Sequence, residues 1–189
     1  MDSKKELLAY MVGVSLGDGN LSNPNKRAIR LRITCDNKYP KLIKHIIETL
    51  KTLFPKNKVS KINRITSTDI SLYSNVLGKI LDWKWDKGPK DLQNIKIPEW
   101  IKDNTKFTKE CLRGLFQTDG SIYKDRDYLM INFVNTSPIL VDDIYKLTKK
   151  LGYSPNIQKL KQSNGKIKHT IRISKDSQKF IKEINFWKK

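Results

Sequence analysis

Two aspartates, Asp18 and Asp119, occupy the same place in two similar stretches of the chain. Each ends an apolar run of helical spacing and is followed by a glycine. A single Asp-Gly pair is typical of a turn or a helix exit, but two pairs 101 residues apart at equivalent places indicate a common role. Carboxylates are hard oxygen ligands of the kind Mg²⁺ prefers, and a divalent ion can polarise a phosphodiester and activate water. The repeat therefore predicts a divalent-metal centre, provided that the two side chains meet.

The glycines of the two runs indicate that the helices pack against each other. Gly13 and Gly17 lie four residues apart, hence on one face of the first helix, and Gly114 stands at the place of Gly13 in the second. A glycine inside a helix costs about 1 kcal/mol relative to alanine, and it is tolerated where another backbone comes close. Parallel packing through these positions would bring Asp18 and Asp119 together at the negative ends of both helix dipoles. Such an arrangement is unfavourable unless a cation neutralises it.

Both halves of the chain have the same predicted order of elements: helix, two strands, helix, two strands, helix. The elements predicted after the first motif are a strand over 28–34, a helix over 40–54, strands around 59–65 and 68–73, and a short helix over 75–81. Those predicted after the second motif are a strand over 128–135, a helix over 137–151, a hairpin of 156–160 and 166–174 around Asn164 and Gly165, and a helix over 174–185.

Charge is the strongest global signal. The 189 residues include 38 Lys and Arg but 19 Asp and Glu, a net charge of +19, which is typical of proteins that bind polyanions. Nucleic acid is favoured over a membrane, because no segment pairs a basic face with an apolar aromatic face at helical spacing. No apolar run is long enough to cross a bilayer, the start of the sequence is too polar for a secretory signal, and Cys35 and Cys111 form no disulfide framework. These features predict an intracellular protein, in the cytoplasm or an organelle matrix.

The two motifs resemble a known family. Met11–Gly19 and Leu112–Gly120 look like the two copies of the LAGLIDADG motif in single-chain homing endonucleases, and Ile97–Ile101 ahead of the second motif is also typical. The resemblance implies an α+β fold, a pseudo-two-fold pair of αββαββα halves with saddle-shaped antiparallel sheets and the motif helices packed at the centre. It implies a monomeric, intron-encoded enzyme that cuts both strands of DNA across the minor groove and leaves 3′ overhangs. The implied partner is double-stranded DNA with a long, near-asymmetric target site.

The resemblance also assigns roles to residues of the centre. It implies that Asp18 and Asp119 are metal ligands, assisted by the carbonyl groups of Gly17 and Thr118. The implied metal is Mg²⁺ or Mn²⁺, and Ca²⁺ could occupy the same place without supporting cleavage. A polar residue at the end of the first long strand of each half usually orders the nucleophilic water, a role that Asn135 fits in the second half.

The first half departs from the family pattern, because Cys35, followed by Asp36, stands where a glutamine is usual. A lysine near the active site is also implied. Lys87 and Lys90 in the linker are candidates, and we assign the catalytic role to Lys90. The second half offers no equivalent segment before the sequence stops.

One face of each predicted sheet is basic by strand alternation, which puts arginine and lysine where guanine edges and phosphates could be contacted. The residues expected to bind DNA are Asn20, Ser22, Lys26, Arg27, Arg30, Arg32, Thr34, Lys61, Arg64, Ser121, Tyr123, Lys124, Arg126, Lys159, Lys161, Lys168, Thr170 and Arg172.

Alternatives to a nuclease are a non-cleaving nucleic-acid-binding protein of the same fold, such as an intron RNA maturase, or an endonuclease that also assists intron splicing. Loss of either acidic residue would indicate the first alternative, and both are retained. A basic RNA-binding structural protein would leave the matched glycines and aspartates unexplained. The chain is expected to divide into two LAGLIDADG halves, 1–83 and 106–189, joined by a linker over 84–105.

Overall fold

The computed structural model describes residues 2–163 and 165–188. The elements of the first half are α1 (Asp2–Asp18), β1 (Gly19–Ser22), β2 (Arg30–Asp36), α2 (Pro40–Leu53), β3 (Ser60–Asn63), β4 (Ser67–Tyr73) and α3 (Leu77–Ile80). A 3₁₀ turn (Lys90–Leu92) and α4 (Glu99–Lys102) follow. The elements of the second half are α5 (Thr105–Asp119), β5 (Gly120–Asp125), β6 (Tyr128–Asn135), α6 (Pro138–Lys150), β7 (Asn156–Lys161), β8 (Ile167–Ile173) and α7 (Ser177–Glu183).

The strands form two antiparallel sheets with the same topology, β1-β2-β4-β3 and β5-β6-β8-β7. The predicted α+β fold with two αββαββα halves is therefore confirmed. Asn164, which we expected in the turn of the last hairpin, lies outside the described residues, whereas Gly165 has the positive φ that the turn requires. None of the helices in the described ranges is both long and apolar enough to span a membrane. The division of the chain into two halves and a linker at 84–105 stays a proposal.

The centre of the molecule is the packing of α1 against α5 through their glycines. A Cβ atom on Gly13 would overlap the backbone carbonyl of Cys111, and one on Gly114 would lie 2.5 Å from the carbonyl oxygen of Tyr10. Near the end of α1, Gly17 leaves room in the same way for the side chain of Thr118. Because the numbers of the contacting residues increase together along both helices, α1 and α5 run parallel and finish at the same end.

Each sheet has one face packed against helices, here called the helix face, and an opposite open face. In β2 the side chains of Leu31 and Ile33 are fully buried on the helix face, while Arg30 and Arg32 alternate with them on the open face. In the second sheet, β6 buries Ile131 and Phe133 in the same manner. The alternation of apolar and polar residues in these strands thus predicts which side chains lie on the open face.

Polar contacts set the boundaries and the register of the central helices. The side chain of Asn104 accepts hydrogen bonds from the backbone N–H groups of Lys106 and Phe107, which caps the start of α5. Farther along, the hydroxyl of Tyr10 donates to Oε1 of Gln117 across the interface at 2.7 Å, in a buried position. A buried, directional contact of this kind opposes sliding of one helix along the other.

We expect Gly13→Ala to lower the free energy of unfolding by about 2 kcal/mol or more, because a methyl group at this site meets backbone that cannot move aside. Gly78→Ala is the matched control, since a Cβ on this helical glycine meets just the tip of Ile29, at 2.9 Å, and the change is expected to stay within about 1 kcal/mol. Chemical denaturation of the two variants checks this. Equal stabilities for Gly13→Ala and the unmodified protein would contradict the proposed close packing.

Candidate metal centre and nucleic-acid interface

Two small cavities lie at the shared end of α1 and α5, one for each half. The first, of about 400 Å³, is lined by Asp119, Gly17, Lys90 and Asn135, among others. The second, of about 200 Å³, is lined by the equivalent set, which is Asp18, Thr118, Lys188 and Cys35, among others. Each cavity thus combines the aspartate of one motif with the residue that precedes the aspartate of the other motif. We call them the Asp119 pocket and the Asp18 pocket.

The carboxyl groups of Asp18 and Asp119 are close enough to interact electrostatically, as predicted from the repeat. Crowding by protein atoms raises the pKa of Asp18 to about 6, and the neighbouring charge of Asp119 contributes to that rise, although one side of Asp18 is open to solvent. Burial also raises the pKa of Asp119, while the Asn135 amide and the ammonium groups of Lys90 and Lys188 oppose that rise. Both aspartates therefore favour a nearby positive charge.

Lys90 closes the end of α1 and provides part of that charge. Its ammonium group donates hydrogen bonds to the backbone carbonyls of Ser15, Leu16, Gly17 and Gly19, at 2.5 to 3.2 Å. The first three of these carbonyls lie in the last turn of α1, at the negative end of the helix dipole, so a cation there is favourable. Burial lowers the pKa of Lys90 to about 8, even though both aspartates act to raise it.

Lys188 covers the end of α5 in the same way, a contact that was not predicted from the sequence. Its ammonium group donates to the carbonyls of Thr118 at 2.8 Å and Gly120 at 2.9 Å, the two residues that flank Asp119. Burial lowers the pKa of Lys188, against the opposing effect of the two aspartates. We had expected no equivalent of the linker lysine in the second half, and that expectation was wrong. Lys188 follows the last helix in a segment without periodic spacing, so no pattern in the sequence indicated its contact.

The polar residues predicted beside the aspartates differ between the halves. Nδ2 of Asn135 donates to Oδ2 of Asp119 at 2.8 Å, and its Oδ1 accepts from the backbone N–H of Ser137 at 2.9 Å, so the amide is held in one orientation. The equivalent residue of the first half is Cys35, which is buried beside Asp18. Within residues 2–163 and 165–188, no side-chain hydrogen bond reaches the carboxyl group of Asp18.

Two other candidates from the sequence lie outside the centre or at its margin. Lys87 is exposed in the segment between α3 and the 3₁₀ turn, and it lines neither the Asp18 pocket nor the Asp119 pocket. Asp36 borders the Asp18 pocket but forms an exposed ion pair with Lys38 at 2.8 Å. The contact of Lys38 lowers the pKa of Asp36, the opposite of the shift at Asp18.

The donor set of the centre fits a hard divalent cation. Asp18 and Asp119 supply carboxylates, and the carbonyl oxygens of Gly17 and Thr118, which accept hydrogen bonds from Lys90 and Lys188, each keep a second lone pair for a cation. No group of three or more His, Cys, Asp or Glu that could hold a metal occurs among the described residues. An ion bound here would therefore need further oxygen ligands from water or from a phosphate group.

The register of the sheets separates the predicted DNA-binding residues into three groups. The residues on the open faces are Asn20, Ser22, Arg30, Arg32, Thr34, Ser121, Tyr123, Lys168, Thr170 and Arg172. Those paired with helix-face residues, and hence directed away from the open faces, are Lys61, Lys124, Lys159 and Lys161. Those in loops and turns are Lys26, Arg27, Arg64 and Arg126. Lys168 of the first group also lines the Asp119 pocket.

Comparisons with known proteins agree with this architecture. Residues 106–185 match the LAGLIDADG-like domain family, and residues 7–76 match the WhiA LAGLIDADG-like domain family. A replication factor C small subunit of Methanocaldococcus jannaschii is 29% identical over 97% of this chain. That match takes in 10% of the relative, so the chain spans about a tenth of the length of the curated protein it resembles.

Several solved structures share the fold. Variants of the homing endonuclease I-DmoI align with a TM-score of 0.71 at 18% identity, over 96% of both chains. A single-residue variant of I-DmoI in complex with its target DNA, in the presence of Mg, aligns with a TM-score of 0.72 at 20% identity, over 98% of both chains. Full-length DUF199/WhiA from Thermotoga maritima aligns with a TM-score of 0.66 at 14% identity, over 99% of this chain and 57% of that one.

The raised pKa of Asp18 gives a testable dependence of stability on pH. A carboxyl whose pKa rises on folding from 3.8 to about 6 weakens the fold as it ionises, so the penalty is small near pH 4, grows up to about pH 6 and levels off above it. Asp18→Asn removes it, and in metal-free buffer we expect the variant to gain much more melting temperature at pH 7.5 than at pH 4. Thermal unfolding in EDTA measures both. Asp36→Asn is the control, and its effect on melting temperature at pH 7.5 should have the opposite sign, because Lys38 lowers the pKa of that carboxyl. Equal shifts for Asp18→Asn at the two pH values would refute the assignment.

Proposed function

We propose that this chain, which is a two-motif LAGLIDADG protein, is a site-specific DNA endonuclease that hydrolyses both strands across the minor groove and leaves 3′ overhangs. The observation that carries the proposal is the pair of equivalent pockets at the end of α1 and α5, each with an aspartate and a lysine. Two equivalent centres match the two scissile phosphates of a duplex. Because one chain already supplies both pockets, a monomer is sufficient.

The open faces of the two sheets are the proposed DNA-binding surface. They carry Arg30, Arg32, Lys168 and Arg172 beside hydroxyl and amide side chains, and the whole protein has a net charge of +19. Binding is expected to weaken steeply with added salt, because contacts to phosphates release counterions. Double-stranded DNA is therefore the proposed partner, with sequence read by the strands on either side of the central pockets.

Asp18 and Asp119, with the carbonyls of Gly17 and Thr118, are the proposed ligands of Mg²⁺ or Mn²⁺. Such an ion supplies polarisation of the phosphodiester, a more acidic water and charge neutralisation of the leaving oxygen. Asn135 holds the carboxylate of Asp119 in one orientation and can orient a water molecule in the Asp119 pocket. Lys90 and Lys188 hold their ammonium groups at the carbonyls beside the two aspartates, where they would stabilise the added negative charge of a phosphate bound at the metal.

The names of the structural relatives support this choice without deciding it. I-DmoI structures have been solved with DNA and Mn and with DNA and Ca, and that protein is named a homing endonuclease. The WhiA LAGLIDADG-like domain, which the first half matches, carries no nuclease in its name. Together with Cys35 in place of an amide, this match favours, as a second candidate, a protein that binds nucleic acid without cutting it. An intron-encoded setting and a role in splicing belong to the same proposal and need their own tests.

We expect Asp18→Asn and Asp119→Asn each to reduce double-strand cleavage by at least about 100-fold, because charge stabilisation in the centre is lost. Sequence-specific binding in Ca²⁺ should be retained, since neither side chain lies on a strand of the open faces. The measurement is plasmid linearisation in Mg²⁺ after a cleavage selection has identified the target. A wild-type protein that selects a sequence in Ca²⁺ but never cuts it in Mg²⁺ or Mn²⁺ would favour the non-cleaving alternative.

Lys188→Met should slow cleavage by about 100-fold, the scale for loss of a positioned acid or cation, and Lys90→Met should do the same. Lys41→Met is the control, because Lys41 is exposed on α2, lines neither pocket and loses the same charge. Single-turnover cleavage of the selected target under saturating protein measures all three variants. The proposed role of Lys188 is wrong if its variant cuts at the rate of the Lys41 variant while both remain folded.

A further inference from the structure

An acidic side chain lies in the middle of the proposed DNA-binding surface. Asp69 is on the open face of β4, where its Cα is paired with that of Thr34 on β2, and Arg32 lies one open-face position away on β2. It is only 5% exposed. A carboxylate facing a polyanion is unfavourable unless neighbouring groups neutralise it. Its presence here therefore needs a reason other than contact with phosphates.

Both oxygens of Asp69 are engaged by the protein. The hydroxyl of Thr34 donates to Oδ1 at 2.7 Å, while Nε and Nη2 of Arg64 approach Oδ2 at 2.8 Å and 2.7 Å. These contacts lower the pKa of Asp69, the Thr34 hydrogen bond most of all, so the group is a carboxylate at neutral pH. Because Asp69 is buried and both of its oxygens are contacted from within the protein, its effect is to fix the guanidinium plane of Arg64.

The backbone that carries Arg64 is fixed as well. The backbone N–H of Arg64 donates to the carbonyl of Ser67 at 2.7 Å and closes the turn between β3 and β4. Asn37, just beyond β2, makes two hydrogen bonds to this turn. Its Nδ2 donates to the carbonyl of Arg64 at 2.9 Å, and its backbone N–H donates to the carbonyl of Thr66 at 3.0 Å. Arginine normally loses much rotamer entropy when it binds a ligand, and here much of that ordering precedes binding.

We propose that Arg64, held by Asp69, reads a guanine in the major groove and sets the base preference of the chain at one position of its target. The Nε edge of the guanidinium faces Asp69, which leaves Nη1 and the outer hydrogen of Nη2 free to donate, and the side chain is 58% exposed. Guanine presents O6 and N7 as two adjacent acceptors, which an arginine contacts together and a lysine does not match. The proposal rests on the DNA binding proposed above but not on cleavage.

The register predicts where in the target this guanine lies. Ser67, at the end of the turn, is paired with Asp36, which borders the Asp18 pocket. Arg30 lies at the opposite end of β2, paired with Tyr73, and its Nε donates to the hydroxyl of Ser22 at 3.0 Å instead of to a carboxylate. Arg64 is therefore expected to read the inner part of the half-site, close to the scissile phosphates, and Arg30 the outer part.

The test is selection of bound DNA from a randomised library in Ca²⁺, where binding can be read without cleavage, for wild type, Arg64→Lys, Asp69→Asn and Arg30→Lys. At one inner position wild type should prefer guanine, and Arg64→Lys, which keeps the charge, should reduce that preference about tenfold. Asp69→Asn should reduce it at the same position, by about threefold, because the guanidinium is no longer held by a full charge. Arg30→Lys is the matched control and should leave that position unchanged.

The outcomes separate this proposal from the proposed function. If Arg64→Lys, with circular dichroism and melting temperature like wild type, keeps the base preferences of wild type at every position, the proposal for Arg64 is overturned while DNA binding stands. Loss of preference at the predicted position in a protein that does not cut DNA would support the role of Arg64 and overturn the nuclease. A wild-type protein that selects no sequence at all would overturn both.

Discussion

The close approach of α1 and α5 is the constraint on which the rest of the molecule depends. Backbone touches backbone at Gly13 and Gly114, so the distance between the helices is set by main-chain atoms and not by adjustable side chains. The buried hydrogen bond from Tyr10 to Gln117 then opposes sliding of one helix along the other. The distance between the helices also sets the positions of the two sheets, because the last residue of each helix is followed directly by the first strand of its sheet. The same contact that unites the halves therefore positions the aspartates and the two open faces.

That convergence has an electrostatic cost, which the chain offsets with its own cations. Two carboxyl groups meet where the dipoles of both helices are negative, and the pKa of each is raised by burial. Lys90 and Lys188 reach back from the segments that follow α3 and α7, and they cover the carbonyls beside Asp18 and Asp119. Both ammonium groups lower the pKa of each aspartate and so offset part of this cost. Folding and the proposed chemistry thus make the same demand, positive charge at the end of the two helices.

The sequence was sufficient for the fold because its information was local and repeated. Two apolar runs with matched glycines, and strands such as Arg30–Asp36 with strict alternation, each predict one element and one buried face. Lysines on edge strands could not be assigned in this way, because the face of Lys61 depends on its pairing with Ile70, which is known only from the register. Lys188 was missed for a related reason: its contact with Thr118 joins residues 70 positions apart and depends on the path of the chain after the last helix. Contacts made by irregular segments leave no periodic pattern to detect.

The two halves share a scaffold but differ in side chains around the pockets and on the open faces, and this difference bears on how the protein would act on DNA. Asn135 and Cys35 occupy equivalent places near the ends of β6 and β2. Asn135 holds the carboxylate of Asp119, whereas Cys35 presents a buried thiol beside Asp18. The open faces differ too, with Asp69 and Arg64 joined on one sheet and Asn132, Tyr123 and Arg172 linked on the other. A symmetric frame thus carries two unlike surfaces and two unlike pockets. A palindromic DNA would offer both halves the same bases, so this frame is better matched to a target whose two half-sites differ in sequence.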